Sequence, residues 1–172
     1  MSLKIKYLDG QKSSSKNTAI FLAKDSKFSD FKGNFDDKIN QKIVNFLKNN
    51  KKAKENKIFS LNLEFDQRLI MILIAKKNDS LQSEKLGAKF YHYIKTNNIN
   101  NVLLLGSNFS TVKSNIKFNE FIHGVELKAY EFNLYKTKKN KKEININILK
   151  NKNIINKNIK NNLDAVLNGI NF

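Results

Sequence analysis

Leu69-Ile70-Met71-Ile72-Leu73-Ile74-Ala75 is apolar at every position. A strand that buries one face alternates apolar and polar residues, because successive side chains point to opposite sides. This run does not alternate. It is also short for a helix, and its isoleucines suit a strand. It therefore reads as a central strand covered on both faces, the situation of a parallel sheet whose crossovers lay helices on either side. The segment just before it is different. Phe59, Leu61, Leu63 and Phe65 alternate with Ser60, Asn62 and Glu64. That strand has one wet face, and a tight turn near Asp66-Gln67 joins the two as a hairpin.

Working towards the N-terminus, Asn49 to Asn56 is a lysine-rich connection. A helix precedes it. Asn34 is placed to cap it, Asp36 and Asp37 suit its first turn, and Ile39, Ile43, Phe46 and Leu47 share one face. Lys24 to Gly33 is a polar loop containing Phe28 and Phe31. Thr18 to Ala23 is a compact apolar strand, Gly10 to Lys16 a turn, and Leu3 to Leu8 a strand alternating with lysine.

Towards the C-terminus, Asp79 or Ser80 opens a helix with Leu86, Phe90, Tyr93 and Ile94 inside, ending within Asn97 to Asn100. Val102 to Leu105 is a buried strand closed by Gly106-Ser107. A long helix is predicted from about Val112 to Lys136. Phe118, Phe121, Ile122, Val125, Ala129 and Phe132 form one stripe, and Leu127, Tyr130 and Leu134 form a second. A helix apolar over that width is expected to touch more than one neighbour. Lys136 to Lys142 is a basic loop, and Ile144, Ile146 and Ile148 mark a last strand. A closing helix over 156–172 carries Ile159, Leu163, Val166, Leu167 and Ile170. The order predicts an α/β fold: a mixed, largely parallel sheet with helices on both faces.

The 172 residues include no cysteine, which excludes disulfides and thiolate zinc sites and makes a reducing cytoplasm the expected setting. No run of about 18 apolar residues exists, so no membrane span is expected. Met1 to Lys6 lacks an apolar signal core. The net charge of +17 suggests a polyanion partner. Yet Arg68 is the sole arginine, whereas base reading favours arginine forks. Abundant Lys, Asn and Ile with no proline look like the residue usage of an AT-rich genome. That reading puts lysine on every wet face and is favoured over a dedicated nucleic-acid surface.

The chain offers little chemistry. His92 and His123 are not at metal-ligand spacing. The glycines are isolated, so no phosphate-binding loop is present. Gly106-Ser107 sits where ligands of open α/β sheets bind, but a plain turn explains it better. Asp36-Asp37 fits a helix start, and Asp79, Glu84, Glu120, Glu126 and Glu131 are scattered. No catalytic residue and no metal ligand is assigned in this chain.

One segment is more specific. Phe121, Gly124, Leu127, Tyr130, Phe132, Tyr135 and Lys136 match, in register, a helix pattern of the leucyl (cytosol) aminopeptidases: Phe-x-x-Gly-x-x-Leu-x-x-Tyr-x-Phe-x-x-Tyr-Lys. The family commonly has glutamate before the glycine, and His123 departs from that. The order of elements around the segment is similar too, including a helix with a central glycine (Gly87). Residues 162–172 resemble the start of the helix that leads into the family's catalytic domain. The resemblance thus covers nearly the whole chain. It implies a macrodomain-like N-terminal domain over residues 1–150 and the connecting helix over 151–172. It also implies that the chemistry lies elsewhere. The family's catalytic domain binds two divalent metals, manganese or zinc, and removes N-terminal residues from peptides. Its active-site run, Asn-Thr-Asp-Ala-Glu-Gly-Arg, is absent here, and Asn17-Thr18-Ala19 is a chance fragment of it. Expected partners are the chain's own catalytic domain and, in the full-length protein, a homo-hexamer. The competing class is a free-standing macrodomain-like module that binds nucleic acid or a nucleotide. Continuation of the reading frame into the catalytic motif separates the two.

The lysines give the sequence its own test. If they are drift, DNA binding is weak and salt-sensitive, with a Kd of about 10⁻⁴–10⁻⁶ M at physiological salt. A dedicated surface would most naturally use Lys136, Lys138, Lys139, Lys141 and Lys142. Changing these five to glutamine is expected to weaken binding only in proportion to the charge removed. Sub-micromolar binding at about 150 mM salt, abolished in that variant, would establish a real DNA surface instead.

Overall fold

A computed structural model describes residues 2–8, 15–23, 25–27, 35–50, 55–63, 66–75, 77–105, 117–130 and 143–149. The strands are β1 (Ser2–Leu8), β2 (Asn17–Ala23), β3 (Lys57–Asn62), β4 (Arg68–Ile74), β5 (Asn101–Leu105) and β6 (Glu143–Leu149). The helices are α1 (Asp37–Asn49), α2 (Ser80–Thr96) and α3 (Phe118–Ala129). The six strands form one sheet in the order β1-β6-β5-β2-β4-β3. Every pair is parallel except β3 with β4. The architecture is the expected one, and β4 lies inside the sheet with every residue from Leu69 to Ile74 buried.

The β3–β4 hairpin turns at Asp66, whose φ of 62° lies in the left-handed region that aspartate tolerates. The Leu63 N–H donates to the Gln67 carbonyl at 2.8 Å and closes the turn. β4 then feeds its side chains alternately to two cores. Ile70, Ile72 and Ile74 join Phe21, Leu86, Phe90, Phe121, Ile122 and Val125 under α2 and α3. Leu69, Met71 and Leu73 join Ile20, Leu22, Ile43 and Leu47 under α1. The period of two thus becomes two separate hydrophobic layers.

Local chemistry fixes the helix ends. Asp36, not Asn34, caps α1: its carboxylate accepts the Ile39 N–H at 2.8 Å. Asn34 lies outside the described residues. At α2, Asp79 and Gln82 form a reciprocal capping box. The helix ends at Thr96, and Asn98, just beyond its cap, takes a φ of 54°. There the Ile99 N–H reaches back to the Ile94 carbonyl at 2.9 Å.

Two details differ from the sequence reading. Tyr91 is fully buried, whereas Tyr93 is only partly so. The inner face of α2 is rotated because it serves the flank of α3 as well as the sheet. Among the described residues α3 ends at Ala129, earlier than Lys136. Tyr130 leaves helical geometry at ψ of 55° after its N–H bonds the Glu126 carbonyl. No glycine or proline marks that stop, so apolar periodicity ran past it. The expected second stripe is not covered either: Leu127 is 40% exposed and Tyr130 53%. Phe132, Leu134, Tyr135, Lys136 and the helix expected over 156–172 lie outside the described residues.

α2 and α3 approach each other closely. A Cβ added to Gly87 would lie 1.9 Å from the Phe121 carbonyl oxygen, and one added to Gly124 would lie 1.9 Å from the Glu84 carbonyl oxygen. Each glycine accepts the backbone of the other helix. A helical glycine costs about 1 kcal/mol against alanine, and this contact is what offsets it. Gly124→Ala is expected to lower stability, because overpacking against rigid backbone costs roughly 1–3 kcal/mol or more and exceeds the propensity gain. Adding Gly87→Ala should cost less than in the parent, since the helices have already been pushed apart. Phe121→Ala, which empties a fully buried site, should cost roughly 3–5 kcal/mol. Chemical denaturation measures all three, and an unchanged midpoint for Gly124→Ala would show that the helices do not meet as described.

Candidate functional site

In an open parallel sheet, ligands bind beyond the carboxyl ends of strands, where successive crossovers depart to opposite faces. Here that point lies between β2 and β5. The chain after β2 returns through α1 on one face, and the chain after β5 returns through α3 on the other. The two strands pair only at Thr18↔Leu103 and Ala19↔Leu104. β5 ends at Leu105, so among the described residues Phe21, Leu22 and Ala23 of β2 pair with β4 alone. That step marks the carboxyl edge of the sheet at this point. Gly106 and Ser107, which the sequence places there, lie outside the described residues.

Three features border this edge. Beyond β2, the Ser26 hydroxyl accepts the Ala23 N–H at 2.9 Å, and the Ser26 N–H donates to the Ala23 carbonyl at 3.0 Å, making a tight turn. In the first turn of α1, Asn40 is fully buried. Its Nδ2 donates to the Phe35 carbonyl at 3.2 Å, while its Oδ1 has no partner among the described residues. A buried amide oxygen left unbonded costs on the order of 1–3 kcal/mol, so it calls for a donor. The signal was legible: Asn40, Ile43 and Leu47 share one face of α1, so an amide occupies an apolar stripe. Lastly, Lys117 stands at the cap position ahead of α3 and makes no side-chain capping bond. The Lys117 N–H instead donates to the Ser83 hydroxyl at 3.1 Å, and its Nζ donates to Ser80 at 2.9 Å. The two helix starts are thereby tied together.

The titratable groups do not gather. Among the described residues no three of His, Asp and Glu could hold a metal ion. Lys16 meets Asp66 at 3.5 Å on the surface, and His123 pairs with Glu84, Nδ1 to Oε2 at 3.0 Å, with side chains 27% and 34% exposed. The His123–Glu84 pair spans the α2–α3 contact beside the glycines, so the residue that departs from the aminopeptidase pattern has found a partner on the neighbouring helix. His92 is exposed. Of the aminopeptidase-like positions, Phe121 and Gly124 are packed between α3, α2 and the sheet. Leu127 and Tyr130 face outward, and Phe132, Tyr135 and Lys136 lie outside the described residues. So do Lys138, Lys139, Lys141 and Lys142 of the basic loop. The other lysines occupy opposite sides of the molecule: Lys38 and Lys48 on α1, Lys85 and Lys89 on α2, Lys4 and Lys6 on edge strand β1, all exposed. No helix among the described residues is long and apolar enough to cross a membrane.

No family model matches the chain, and no curated protein does. Solved structures match its fold. One is a variant of tomato leucine aminopeptidase, with a TM-score of 0.59 and 14% identity over 98% of this chain. The chain spans 37% of that protein's length. Another is the macrodomain of Thermus aquaticus DarG, with a TM-score of 0.56 and 8% identity, covering 87% of this chain and 100% of that one. At these identities the likeness is one of fold. The chain is thus similar in structure to part of a leucine aminopeptidase and to a macrodomain.

The Glu84–His123 contact gives a test of the α2–α3 arrangement. A double-mutant cycle with Glu84→Ala and His123→Ala is expected to show coupling of roughly 0.5–1 kcal/mol, the upper range for a partly exposed pair. Strictly additive losses would mean that the two side chains do not meet in solution.

Proposed function

We propose that this chain is the non-catalytic N-terminal α/β domain of a leucyl aminopeptidase and serves its assembly and active-site access. The observation that carries the proposal is the alignment of nearly the whole chain, 98%, with 37% of an aminopeptidase. The α2–α3 contact supports it, because the segment that resembles the family supplies Gly124, and α2 supplies the matching Gly87. In this reading the parent enzyme works in the cytoplasm as a hexamer and removes N-terminal residues from peptides. The two divalent metals, manganese or zinc, belong to its catalytic domain. The described residues of this chain do not fit them: Glu84 and His123 make a pair where a two-metal site needs a cluster of carboxylates.

A second reading, a free-standing module for a nucleotide or nucleic acid, is favoured by one feature. The buried Asn40 Oδ1, in the first turn of α1, meets no donor among the described residues, and a ligand N–H or O–H could supply one. Binding would sit at the carboxyl edge of the sheet, where α1 follows β2.

The isolated chain is expected to show no turnover of a leucine chromogenic amide with manganese or zinc added. Chelator-sensitive activity that survives further purification would place catalysis in this chain and end the accessory-domain reading. Calorimetric titration with a panel of nucleotides and with single-stranded DNA examines the alternative. Saturable micromolar binding to one nucleotide, lost on Asn40→Ala in a still-folded protein, would favour the module over the accessory domain.

A further inference from the structure

We draw no further inference here: the strongest candidate, the surface patch on the outer side of α2 and α3 where the exposed Leu81, Leu127 and Tyr130 lie within two helical turns of the Glu84–His123 pair, carries nothing because nothing in the structure shows what covers it.

Discussion

Two helices that meet backbone to backbone set the geometry of one whole side of this fold. The absence of a Cβ at Gly87 and at Gly124 lets α2 and α3 lie closer than side chains would allow. That closeness brings Glu84 to His123 and Ser83 to the N–H of Lys117, just ahead of α3. It also draws Phe118 and Phe121 over Phe21, with ring centroids 6.2 and 5.1 Å away and edges turned to faces. Edge-to-face aromatic pairs prefer this arrangement for electrostatic reasons. The aromatic core under α3 follows from where the glycines put that helix.

The two faces of the sheet are built differently. One carries two helices and a core running from β4 to β6, to which β1 adds the partly buried Leu3, Ile5 and Tyr7. The other carries α1 over β2, β4 and part of β5. On that second side β1 presents Lys4 and Lys6, and β6 presents Asn145 and Asn147. Charged residues on an edge strand oppose pairing with another chain, which accounts for those two lysines without any polyanion. Among the described residues, other exposed lysines stand on both faces, on α1 (Lys38, Lys48) and on α2 (Lys85, Lys89). Among the described residues the acidic and histidine side chains are dispersed, and the partly buried Glu84–His123 contact tightens a helix pair.

Much of this was legible in the residues. The unbroken apolar run at Leu69 to Ala75 signalled a strand covered on both sides, and the alternation before it signalled the hairpin. Asp79 with Gln82 three residues on announced the start of α2. A glycine in mid-helix stated that something must come close, because its helical cost has to be offset. The open position at Asn40 was visible as an amide on an apolar stripe, though the stripe could not say whether that amide would find its partners.

Periodicity and local propensity therefore determined the elements, their faces and the class of fold, since these depend on each side chain's own burial preference and on neighbours a few residues away. What only the tertiary structure decided depends on residues far apart in the chain. It selected Gly87 as the counterpart of Gly124 and Glu84 as the partner of His123. It turned α2 so that Tyr91 rather than Tyr93 is buried, and it left Leu127 and Tyr130 on the surface. An amphipathic pattern records how apolar a face is, not whether one neighbour or two will cover it. That is settled when the crossing of two helices, limited by the van der Waals radius of a carbonyl oxygen, fixes which surfaces meet.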